Sequence, residues 1–110
     1  MVEGLWTIEF ISSLKFYGTG ILVLHNSRLL GGDDAYYYDG SYSVHNSNIN
    51  GRVDVTRYKR GGISVFGDFD HFSMTFEGRV MEGNHIDGVA NVTGREGVGI
   101  KIICKKKVDL

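Results

Sequence analysis

The chain has 110 residues and a formal net charge of −1, so its size leaves room for one domain (1–110) with one core, and its charge excludes a global pull towards nucleic acid or an anionic membrane. It contains 16 Gly, no Pro, 6 Tyr, 6 Phe and a single Cys; glycine at that level, without proline or low-complexity runs, points to many tight turns rather than disorder. Cys104 alone forms no internal disulfide, and no apolar run approaches the ~20 residues of a membrane helix.

Met1-Val2-Glu3 leads directly into an alternating pattern, so no secretory leader and a cytoplasmic location are expected. From Leu5, the residues Trp6, Ile8 and Phe10 share one face while Leu5, Thr7 and Glu9 take the other. Further strands are expected at Gly18 to His25, Arg28 to Gly31, Tyr36 to His45, Asn48 to Lys59, Asp70 to Val80, Asn84 to Thr93 and Val98 to Lys107. The sixth is the clearest, with Phe72, Met74, Phe76, Gly78 and Val80 on one face and His71, Ser73, Thr75, Glu77 and Arg79 on the other. Asn26-Ser27, Asn46-Ser47, Glu82-Gly83 and Gly94 to Gly97 read as hairpin turns. Short connections make neighbours antiparallel. A meander of eight strands with a buried face and no covering helix either stacks as two sheets or closes. Closure into an all-β, eight-stranded antiparallel up-and-down barrel, round or flattened, is the simpler solution.

Parity then sorts the side chains. Trp6, Phe10, Tyr38, Tyr42, Phe72 and Phe76 face inward together with Gly40, Gly51, Gly78, Gly88 and Ala90. The small residues would let aromatic rings cross the axis and fill it, as the close packing of small cores favours. The alternative is a pocket for one lipid or other apolar ligand, lined by those six aromatic residues.

The segment GGDDAYYYDGSY, Gly31 to Tyr42, looks catalytic at first sight. Its opening resembles the GGDEF signature of diguanylate cyclases, but those domains are longer, mix helix with sheet, and continue Glu-Phe. Asp33 and Asp34 are ordinary turn residues between two strands, and the further oxygen ligands of a calcium loop are missing nearby. Alternation sends Tyr36, Tyr38 and Tyr42 to one face and Tyr37 to the other, which is not a stacking platform.

His25, His45 and His85 gather at one rim of a meander. They lie on different hairpins without paired spacing or a carboxylate behind them, so exposed strand-end positions, and no metal site, are expected. The opposite rim carries Asp33, Asp34, Asp68, Asp70 and Glu96 among Arg60, Arg95 and Lys15. There Ile63, Val65 and Phe66, within Arg60 to Asp70, would either plug the barrel mouth or form a binding loop.

The last strand turns Ile100, Ile102 and Cys104 inward and Lys101, Ile103, Lys105 and Lys107 outward. Without outward aromatics beside them the lysines are a poor nucleic-acid signal and read as guards of a sheet edge. Cys104 reads as a small buried hydrophobe. No nucleophile–base pair, carboxylate pair or phosphate loop is arranged, so no enzyme and no cofactor is expected. Outward Leu5, Ile11, Tyr37, Tyr58, Val89 and Ile103 mark an expected homodimer surface on the outer wall.

GLWTIEF, GTGILVL, RLLGGD and YYYDGSY, in that order from Gly4 to about Tyr58, resemble the GrlR-like family, small bacterial regulators of type III secretion genes. The Gly4-x-Trp6 start is also similar to that of lipocalins. The resemblance implies a lipocalin-like barrel, a dimer, and a non-enzymatic regulator working by protein–protein contact. In the family's namesake the partner is a transcriptional activator, recognised through an acidic run at the turn between the fourth and fifth strands. The matching turn here, His45 to Asn50 in VHNSNING, has no acid, so that surface does not carry over.

Overall fold

An extended segment with one apolar and one polar face must cover the apolar face without leaving its backbone edges bare. The chain does both by rolling up. The computed structural model describes residues 2–12, 17–59, 70–95 and 97–110. Its strands are β1 (Gly4–Ser12), β2 (Tyr17–His25), β3 (Arg28–Gly32), β4 (Tyr36–His45), β5 (Asn48–Arg57), β6 (His71–Met81), β7 (His85–Val92) and β8 (Gly99–Asp109). They follow one another around a closed antiparallel barrel, and β8 returns to pair with β1. No helix among the described residues is long and apolar enough to cross a membrane.

The turns explain the register. Asn26 and Ser27 adopt φ of 50° and 68°, and Glu82 and Gly83 adopt 55° and 73°. Paired positive φ values are those of a type I′ turn, whose twist matches that of the flanking strands. Asparagine and glycine accept this conformation readily; glutamate does not.

Closure changes one reading of the sequence. β8 is not an edge strand, because Ser12 to Gly4 run along it from Ile100 to Asp109, so Lys101, Lys105 and Lys107 guard no open edge. The ladder slips between Leu5, opposite Val108, and Trp6, opposite Lys106, which leaves Lys107 as an extra residue in a bulge.

Lys106, just before the bulge and two residues beyond Cys104, continues the inward series of Ile100, Ile102 and Cys104. Its side chain is only 9% exposed, with Nζ 2.9 Å from Asp109 Oδ1 and 5.4 Å from the centre of the Trp6 ring. Trp6 is fully buried, and its indole N–H donates to the Val2 carbonyl at 2.8 Å. Glu3 receives the Asn26 backbone N–H at 2.7 Å. Indole, lysine stem and N-terminal arm together close this end of the barrel.

Candidate functional site

The inward residues do not fill the barrel. A cavity of about 630 Å³ runs from Leu24, Leu29 and Ile86 near the closed end to Gly18, Asp33 and Asp34 at the other rim. That is within the range of small-molecule sites, ~300–1,000 Å³. The expectation of a filled axis is therefore corrected, and the register supplies the reason. Several large rings have glycine as cross-strand neighbour: Phe10 lies opposite Gly18, Tyr38 opposite Gly31, and both Tyr42 and Phe76 opposite Gly51. A Cβ on Gly18 would stand 2.4 Å from Phe10 Cε2, and one on Gly51 2.7 Å from Phe76 Cζ. The rings of Phe10 and Phe76 lie back over the bare backbone of the next strand instead of crossing the axis. Small residues make room at the wall, and the described side chains leave the centre open.

Of the aromatic residues expected to line a pocket, Phe10, Tyr38, Phe72 and Phe76 do so. Trp6 and Tyr42 are buried but do not line this cavity; Trp6 belongs to the closed end, and Tyr42 lies against a second, polar hollow between Ser41 and Asn91. Alternation also brings residues to the wall that the aromatic list left out, among them Leu22, Val53, Val55, Met74 and Ile102. The Ile63, Val65 and Phe66 plug lies outside the described residues.

The polar chemistry of the cavity sits at the rim, on Asp33. Its Oδ1 accepts the backbone N–H groups of Ala35 and Tyr36, each at 2.9 Å, and its own N–H donates to the Tyr36 carbonyl at 2.9 Å. This ties the β3–β4 turn as an Asx-type turn would. Its Oδ2 accepts the Tyr38 hydroxyl at 2.5 Å, and its carbonyl accepts the Tyr58 hydroxyl at 2.5 Å. Burial first, and the Asp33 carboxylate second, push the Tyr38 phenol well above its ordinary value, so it remains a proton donor. The turn reading of Asp33 holds, and the structure adds that this turn forms part of the cavity wall.

Beside it, Arg57 donates from Nη2 to the Tyr36 hydroxyl at 2.7 Å, lies 5.2 Å from the Tyr36 ring centre, and has Nε 3.3 Å from Asp70 Oδ1. Tyr36 in turn meets Phe72 edge to face at 6.3 Å. At the far end of the lumen, burial, aided by the charge of Asp87, pushes the Cys104 thiol up to about 12, so it is neutral and inert at physiological pH.

Among the described residues no group of three His, Cys, Asp or Glu side chains is placed to hold a metal ion. His25 lies 3.4 Å from Glu3 Oε2, His85 lies 2.8 Å from Asp87 Oδ1, and His45 is exposed.

The outer wall departs from the expected dimer surface. Leu5 and Ile103 are half-buried, while Ile11, Tyr37, Tyr58 and Val89 are exposed. Tyr37 and Tyr58 stand by β4 and β5 and the others on β1, β7 and β8, so the six share no single face. A continuous apolar row crosses four strands instead: Val108 opposite Leu5, Leu5 opposite Val23, and Val23 opposite Leu30. Ile21, 44% exposed, stands next to it on β2. Reading single strands for outward residues misses this row, because only the strand register aligns it.

No family model matches the chain, and no curated protein matches it. The GrlR-like reading rests on the four segments quoted above.

Proposed function

We propose that this protein is a binding barrel that takes up one apolar molecule in its interior. The observation that carries the reading is the open, apolar-lined cavity of about 630 Å³ behind a polar rim. Burying an alkyl or ring system there gains ~25 cal/mol for each Å² of apolar surface removed from water, and a preformed wall has little ordering left to do. Native mass spectrometry of gently purified protein tests it. A non-covalent adduct of small mass, lost on denaturation, supports the proposal; an empty barrel that also fails to take up neutral apolar probes defeats it.

A second reading, a regulator acting by protein contact, is favoured by the Val108–Leu5–Val23–Leu30 row, whose outer members are 55% and 42% exposed. A homodimer through this row and a regulatory partner, of the kind the GrlR-like resemblance implies, belong to that reading. The two are compatible, since one uses the lumen and the other the wall. Light scattering at tens of micromolar separates a dimer from a monomer, and Leu30→Asp should shift a dimer to the monomer mass.

A further inference from the structure

Resting on the interior-binding reading, we infer that the cavity selects amphiphiles with a cationic, amine-type head over fatty acids of the same length. The cavity is the site; its rim sets which head group is accepted.

Along the described lining the charged residues are Asp33 and Asp34, and both are acids. The other described lining residues are uncharged, and no described lysine, arginine or histidine is among them. Behind the lining residue Tyr36 stands Arg57. Its guanidinium is committed to the Tyr36 hydroxyl and paired with Asp70, so its charge is largely offset before it reaches the lumen.

The rim also offers acceptors. The Tyr38 hydroxyl gives its proton to Asp33, leaving its lone pairs for a ligand, and Asp34 is an exposed carboxylate at the mouth. An ammonium head lodged there with its chain down the lumen meets opposite charge and acceptors for its N–H groups. A carboxylate head in the same place meets two like charges and leaves bound water without replacement. The low-dielectric wall strengthens both effects relative to open water.

The test is calorimetric titration of the whole protein at neutral pH, below micelle concentrations, with dodecylamine, dodecanol and dodecanoate. The expected order is amine, then alcohol, then acid, with the amine at least about ten-fold tighter than the acid. Asp34→Asn, on an exposed side chain, should narrow that gap several-fold while leaving dodecanol unchanged. Asp33→Asn should narrow it further if circular dichroism shows the fold intact.

Ala90→Phe, which puts a ring into the lumen, controls for adsorption outside: all three ligands should lose affinity. Equal binding of the three, tighter binding of the acid, or an amine preference untouched by Asp34→Asn overturns the head-group inference and leaves the interior-binding reading standing. Amine binding that survives Ala90→Phe overturns it too, because the amine is then on the outer surface. If even dodecanol fails to bind, the interior-binding reading itself falls.

Discussion

Phe10 lies across Gly18 on the neighbouring strand, so close that a Cβ on Gly18 would stand 2.4 Å from the ring. This contact holds the ring against the wall near the cavity mouth. Gly18→Ala should push Phe10 towards the lumen, costing about 1–3 kcal/mol in urea unfolding, the usual price of overpacking. It should also weaken binding of a neutral apolar probe. Wild-type stability together with unchanged probe affinity would show that the ring is not held this way.

The closed end rests on a different pair. Trp6→Ala removes a fully buried indole and should cost about 3–5 kcal/mol. Lys106→Met keeps the stem over the indole and loses only the charge, so it should stay within about 1 kcal/mol of wild type. Chemical denaturation followed by circular dichroism distinguishes the two. Equal losses from both variants would mean that the ammonium, not the packed stem, holds the end shut.

Tyr38 gives the fold a dependence on alkaline pH. Its phenol is raised above the ordinary value of 10.0 in the folded barrel, by burial and then by Asp33. Below about pH 10 folded and unfolded chains both hold the proton, and the stabilisation is fully present. Above that pH the unfolded chain loses the proton while the folded one keeps it, so stability falls as pH rises, by up to about 1.4 kcal/mol per pH unit. Tyr38→Phe should remove this part of the slope. Parallel stability profiles of wild type and variant from pH 9 to 11 would refute the coupling.

Glu82 occupies the left-handed region at φ 55° in the β6–β7 turn, followed by Gly83 at 73°. Glu82→Asn creates the Asn-Gly pair that type I′ turns prefer and should stabilise the protein by about 0.5–1 kcal/mol. The transition midpoint in thermal unfolding should rise by a few degrees. An unchanged or lower midpoint would mean that the glutamate side chain contributes something there that asparagine cannot replace.

Much of the architecture was legible in the chain itself. The period-two pattern from Trp6 to Phe10 and from Phe72 to Val80, with turns at Asn26-Ser27 and Glu82-Gly83, dictates strands joined by hairpins. Such a meander either closes or stacks as two sheets, and closure is the simpler of the two. The division of Tyr36, Tyr38 and Tyr42 from Tyr37 follows from the same parity.

The lumen and the outer row were not legible, for one physical reason. Parity states on which side of the sheet a residue lies, but not what lies across from it. Whether Phe10 crosses the axis or reclines on Gly18, and whether Leu5 meets Val23 and Val108, depends on the register between neighbouring strands, and Leu5 and Val108 come from opposite ends of the chain. Closure sets that register through turn geometry and the Lys107 bulge. Thus local alternation by itself determined an antiparallel meander of eight strands, while its closure, the open interior with Asp33 and Asp34 on its described lining, and the apolar flank were decided only when the strands were laid side by side.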